Sequence, residues 1–155
     1  MVIEESVEIN AGIEKVWNSF TDLTCWEEWN TVLRDVATES ESIREGGKFS
    51  CSLRFFSVPL FFEPRIEEVV PRRKIVWKGE KYGISSRHEF MFIKEDRGGN
   101  VTSRETFSGP FFSGILLPRR EIRRLTRKLL QDLKKASESS GLKAQDATGD
   151  EKIYH

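Results

Sequence analysis

The sequence predicts an α+β fold: a curved antiparallel sheet of about seven strands gripping one long C-terminal helix, with two short helices after the first strand. Three observations lead there. Over residues 119–136, Ile122, Leu125, Leu129, Leu133 and Ala136 recur on one helical face. Arg120, Arg123, Arg124, Arg127, Lys128, Lys134 and Lys135 take the other. The middle of the chain instead alternates apolar and polar residues, punctuated by hairpin signals at Gly46-Gly47 and Gly98-Gly99-Asn100. Between the first alternating run and the rest, Ile13, Val16, Trp17 and Phe20 return at helical spacing. A single amphipathic helix cannot bury its stripe alone, and the concave face of a bent sheet is the economical surface for it.

In order, residues 2–9 form a strand with Ile3, Glu5, Val7 and Ile9 on its mainly apolar face. A helix follows Asn10-Ala11-Gly12 and ends at Thr21-Asp22, and a second, roughly 23–29, carries Trp26 and Trp29 three apart on one face. Residues 36–43 read as a polar edge strand. Phe49, Cys51, Leu53 and Phe55 line one face of the next strand, against Ser50, Ser52 and Arg54. Val58-Pro59 marks a turn or edge, and 61–70 a further strand ending at Pro71. Ile75 and Trp77 lie in the strand after it, and 79–83 is a turn region. Ser86, His88, Phe90 and Phe92 then share a face, and 101–108 is the last strand. The helix begins either at Ser113 as N-cap, with a kink at Pro118, or at Pro118 itself. One domain spans 1–139, and residues 140–155 read as a polar, aperiodic, disordered tail.

With 25 basic and 25 acidic residues the net charge is zero, so whole-molecule attraction to nucleic acid is not expected. The charge is uneven: residues 1–45 hold eleven acids and three bases, residues 119–135 eight bases and two acids. The simplest account places the acidic N-terminal part beside the basic helix face. Two cysteines and no signal peptide point to a reduced, cytoplasmic setting, and no transmembrane segment is expected.

The chain resembles the START-related, birch-pollen-allergen-like (helix-grip, SRPBCC) superfamily, and within it the polyketide cyclase/dehydrase-like subgroup. The segments that carry the likeness are VEINAGIEKVWNSFTDLTCWEEWN (7–30), IEEVVPRRKIVWKG (66–79), RHEFMF (87–92), RETFSGPFFSGILL (104–117) and LLQDLKKASE (129–138). Where that family often has a proline turn after the paired tryptophans, this chain has Trp29-Asn30-Thr31. The resemblance implies a hydrophobic cavity between sheet and helix; it does not imply one function, because the superfamily spans carriers, receptors, enzymes and co-chaperones.

Candidate ligand-binding residues are Trp29, Phe49, Phe55, Trp77, His88, Phe90, Phe107, Phe111, Phe112, Ile115 and Leu116, aromatic and apolar groups suited to a flat hydrophobic ligand. Plain core packing competes for each of them. Candidate proton-handling groups are His88, Glu105 and Arg54. His88 reads either as a general base or as a histidine satisfied by a neighbouring strand. Glu105 is either buried beside Arg54, Arg87 or His88 with a raised pKa, or exposed in a cross-strand pair. Phe111 to Gly114 suits a gate. One internal histidine with no HxH or CxxC spacing calls for no metal, and the lack of a phosphate loop or nucleotide fingerprint calls for no cofactor. Binding of a hydrophobic small molecule ranks first, a cyclase- or dehydratase-like enzyme second, and an interaction module using the basic helix face third. Neither monomer nor dimer is favoured.

Overall fold

The computed structural model describes residues 1–109 and 118–151, with side chains of the last helix to Ser139. The elements run β1 (Val2–Ile9), α1 (Ile13–Thr21), a 3₁₀ turn (Leu23–Cys25), α2 (Trp26–Trp29), β2 (Arg34–Thr38), β3 (Phe49–Phe55), β4 (Val58–Phe62), β5 (Arg65–Val70), β6 (Lys74–Lys81), β7 (Ile84–Lys94), β8 (Gly99–Ser108) and α3 (Arg119–Glu151). The fold is α+β. An antiparallel five-stranded sheet has the order β1-β8-β7-β6-β5, and a second sheet the order β2-β3-β4. A bridge between Lys48 and Arg65 joins the two.

The run 61–70 is two strands, not one. Pro64 lacks the N–H that would continue a ladder, so β4 ends before it and pairs with β3, while β5 starts after it and pairs with β6. The turn expected at Val58-Pro59 lies earlier, at Phe56-Ser57, where both residues take positive φ (50° and 67°). Pro59 is tolerated because β4 is an edge strand. Residues 79–81 continue β6, leaving Tyr82-Gly83 as a two-residue turn. The edge strand expected over 36–43 is shorter and earlier, and a bulge interrupts its pairing with β3.

Helix α3 starts directly after Pro118, whose carbonyl accepts from the Glu121 and Ile122 N–H groups. It is helical to Glu151, through most of the stretch read from sequence as a tail. Its buried face comprises Ile122, Thr126, Leu129, Leu130, Leu133 and Ser137. The two hydroxyls bond back to the Ile122 and Leu133 carbonyls, which lets them sit in an otherwise apolar stripe. No helix is long and apolar enough to cross a membrane among the described residues.

The helix runs along the inner face of β1. Arg123 and Arg127 reach Glu5 at 3.2 and 3.1 Å, Lys134 donates to the Glu8 carbonyl, and Glu138 accepts from the Asn10 N–H. The acidic start and the basic helix face do therefore meet, in part. The contacts also fix direction: the first turns of α3 lie at the Met1 end of β1, its later turns at the Ile9 end beside α1.

Candidate functional site

Strand alternation puts four residue rows on the inner face. From the α1 end, the registers align Phe92–Val101–Val7, Ile75–Phe90–Ser103–Glu5, Trp77–His88–Glu105–Ile3 and Gly79–Ser86–Phe107. The first two rows are sealed, with Phe92, Phe90, Val101, Ser103 and Ile75 at 3% exposure or less. Phe20, Trp26, Phe49, Trp77, Phe90 and Phe92 fill the space above them as one aromatic cluster, with neighbouring ring centroids between 4.8 and 6.1 Å. Farther along, burial relaxes: Ser86, Glu105 and Phe107 are only half-buried.

At the change-over sits a polar chain. The Ser86 hydroxyl donates to Glu105 Oε2 at 2.7 Å. The same oxygen lies 3.4 Å from His88 Nδ1, and His88 Nε2 lies 2.6 Å from Ser103 Oγ. His88 stacks on Phe90 at 4.1 Å and meets Trp77 edge-on. Burial holds the His88 pKa below its ordinary value, opposed by the Glu105 charge, so the ring is neutral at pH 7. A neutral ring with its Nδ1–H toward Glu105 leaves Nε2 to accept from the Ser103 hydroxyl. Glu105, at 17% side-chain exposure, is the member facing the looser half. The group can therefore present a carboxylate acceptor backed by a neutral imidazole, or pass a proton along Ser103, His88 and Glu105.

The structure places Glu105 on the inner face of β8, beside Ser86 and His88 instead of an arginine. Arg87 turns to Glu89 at 2.9 Å. Arg54 is exposed on the face of β3 opposite Leu53 and Phe55, so its placement beside the inward carboxylate is corrected by simple strand alternation. Phe49, Trp77 and Phe90 are buried in the aromatic cluster, whereas Trp29, Phe55 and Phe107 are half-buried. Phe111, Phe112, Ile115 and Leu116, with the gate read over 111–114, lie outside the described residues.

Sequence reasoning placed Ser86 on the His88 face and Glu5 in the β1 stripe but gave neither a partner, and it left Ser103 unnamed. Ser103 and Ser86 sit on the His88 and Glu105 faces, and strict alternation through 101–107 and 86–92 was the available signal. Glu5 interrupts an apolar stripe; it anchors both Arg123 and Arg127. Where a proline turn would follow Trp29, the Asn30 side-chain oxygen accepts from both the Val32 and Leu33 N–H groups at 2.8 Å. Trp29 Nε1 and Asn30 Nδ2 are buried donors with no acceptor among the described residues. Two surface crevices, of about 560 and 480 Å³, lie elsewhere, against the 39–48 loop; both are lined by polar and charged groups.

Residues 1–138 match the model of a family described as polyketide cyclase / dehydrase and lipid transport. Among solved structures, a protein from Thermus thermophilus superposes with a TM-score of 0.75 at 16% identity, covering 90% of this chain and 99% of that one. The di-domain aromatase/cyclase StfQ from the steffimycin biosynthetic pathway gives 0.73 at 15% identity, covering 90% and 52%. DynU16, a protein of the dynemicin biosynthetic locus, gives 0.69 at 16%, covering 90% and 48%. The chain thus spans about half the length of these last two. At such identities the likeness concerns the fold. A sequence search of curated proteins finds no match.

Proposed function

The chain belongs to the polyketide cyclase / dehydrase and lipid transport family, and from that premise we propose that it binds a hydrophobic molecule of lipid, quinone or aromatic polyketide type between the sheet and α3. The observation that carries this reading is the Ser86–Glu105–His88–Ser103 chain, placed where the inner face passes from sealed to half-open. A half-buried carboxylate hydrogen-bonded beside a buried imidazole costs stability where rings could pack, so the pair suits a task other than packing. Trp77 and Phe107 supply apolar wall beside it. Glu105 accepts a ligand hydroxyl, and a ligand carbonyl reaching Trp29 Nε1 satisfies a buried donor.

Extraction of the protein purified from its own host, with mass spectrometry of what is released, tests this. A co-purifying hydrophobic oxygenated molecule is expected, with its affinity about tenfold lower in Glu105→Gln. A preparation that binds no lipid, quinone or polyketide probe, at any concentration short of their solubility, sinks the reading.

One observation favours an enzyme as second reading: Glu105 is both solvent-accessible and backed by neutral His88. In a dehydration, Glu105 takes the proton next to a ligand carbonyl. The carbon–carbon double bond then forms as the neighbouring hydroxyl leaves as water, taking back the proton that Glu105 removed. Incubation with a β-hydroxyketone probe and detection of the dehydrated product separates this from simple binding.

A further inference from the structure

We propose that the half-open end of the molecule docks on an anionic lipid bilayer through the tips of two hairpins, β3–β4 and β6–β7. The most exposed large apolar side chains of the described residues lie on these hairpins: Phe56 at 62%, Val58 at 64% and Tyr82 at 79% at the turns, and Phe61 at 56% farther along β4. The β6–β7 tip is tied to the body of β4, and the β3–β4 tip lies beside the helix. Lys81 Nζ donates to the Phe61 carbonyl and sits 5.4 Å from the Tyr82 ring centre. The Phe56 N–H faces the Glu121 carboxylate, whose pKa is held low chiefly by Arg124. The β3–β4 hairpin therefore lies between the β6–β7 tip and the first turn of α3.

Backbone conformation says that these aromatics are not there for folding. Both turns are two-residue loops with positive φ, at Phe56-Ser57 and at Tyr82-Gly83. Such turns favour Asn, Asp or Gly, and a bulky side chain in the left-handed region is strained. Packing offsets little of the strain: the Phe56 ring meets Phe55 edge-on at 5.1 Å and Tyr82 lies by Lys81, yet both rings remain mostly exposed. A strained residue that serves neither turn nor core points to a use at the tip.

The chemistry fits a bilayer. Arg54, Arg119 and Arg120 are exposed on the β3–β4 hairpin and at the start of α3, while Arg124 is paired with Glu121 and Glu80 balances Lys81 beside Tyr82. Apolar tips that enter the acyl boundary, ringed by bases at phosphate depth, are the elements of interfacial binding to anionic lipid. Two separate convex tips suit a surface that deforms around them; a protein partner would need a complementary hollow for each. The proposal does not require the ligand reading above.

Flotation of the full chain with phosphatidylcholine vesicles, with and without phosphatidylserine, tests it beside the double variant Phe56→Asn/Tyr82→Asn. Asparagine removes both rings yet suits both turns, so the variant is expected to melt no lower than the parent. The parent should float with the serine-lipid vesicles and fall off as salt rises, and the variant should bind roughly tenfold more weakly. The proposal is overturned if the parent floats with neither vesicle, if it binds both alike regardless of salt, or if the variant floats as well as the parent. It is equally overturned if the parent is a dimer that the double variant dissolves, because the tips then meet a second copy.

Discussion

The two ends of the inner face are built from the same strands and covered by the same helix, yet they differ in kind. At the α1 end the rows carry Phe92, Phe90 and Val101, the rings of Phe20, Trp26 and Phe49 close over them, and little water reaches any of it. At the other end the same strands carry Ser86, Glu105 and Phe107, all half-buried. Even the turns differ. The β7–β8 turn at the closed end uses Gly98 at a φ of 87°, where a Cβ would collide with the Ile9 carbonyl oxygen. The hairpins at the open end place Phe56, Ser57 and Tyr82 at positive φ. The closed end breaks few local rules, Arg72 at a φ of 61° in the β5–β6 turn being one, while the open end breaks several within two turns. Local rules broken together at one place mark function more reliably than any single residue does.

The largest expected effect comes from the closed end. Phe20 is fully buried and has ring contacts with Trp26, Trp29, Trp77, Phe90 and Phe92. Phe20→Ala should cost about 3–5 kcal/mol in denaturant unfolding, the usual range for deleting a packed aromatic. Phe107→Ala, half-exposed at the other end, should cost about 1 kcal/mol while lowering ligand affinity. Equal losses would mean that the two ends are one continuous core.

The closed end was largely legible in the sequence. Helical spacing named Ile13, Val16 and Phe20, and alternation named Phe49, Phe90 and Phe92, because burial on one face writes a period into the chain. The open end was legible only as single residues. His88 and Glu105 stand seventeen positions apart, and only the register that sets them opposite each other makes them a pair. The Phe56-Ser57 turn was invisible because it lacks the glycine by which such turns are read. The division of 61–70 was marked by Pro64, but which sheet each half joins depends on partners distant in the chain.

A second test concerns Glu5, the carboxylate that joins β1 to the helix near the boundary between the ends. Its side chain is 15% exposed and lies beside two arginines; the Arg123 Nε is buried, makes no hydrogen bond among the described residues, and has Glu5 as its counter-charge at 3.2 Å. Glu5→Ala leaves that nitrogen without its counter-charge and should cost about 1–3 kcal/mol. Urea unfolding measures it; a cost near zero would show that α3 is held by its apolar stripe alone.

A third asks whether His88 is as dry as the closed end. Its folded pKa lies below the ordinary 6.5 because burial disfavours the charged ring. Below the ordinary value, the unfolded chain therefore binds a proton that the folded chain does not. Stability from this residue is intact above pH 6.5 and declines as pH falls toward the folded pKa. Paired unfolding curves of the parent and His88→Gln should diverge in slope between pH 7 and 5, about the ordinary histidine value, with the parent the steeper. Parallel curves would place the ring in contact with water, and move the boundary between the two ends inward by one row.

The smallest effect is a gain. Ser57 sits at a φ of 67° in the second position of its turn, where glycine adopts the same conformation without a Cβ penalty. Relief of that penalty, roughly 1–2 kcal/mol, is offset by about 0.5–1 kcal/mol of added backbone entropy in the unfolded chain. Ser57→Gly should therefore stabilise the protein by about 0.5 kcal/mol, seen as a small rise in Tm. Because Ser57 is polar and exposed, the exchange leaves the aromatic tips in place, and vesicle binding should not change. A gain in stability without loss of binding would show that the strain is a by-product of a tip whose useful residue is Phe56. A loss of binding would show instead that the serine at this position, or the strained turn itself, is part of what the open end presents.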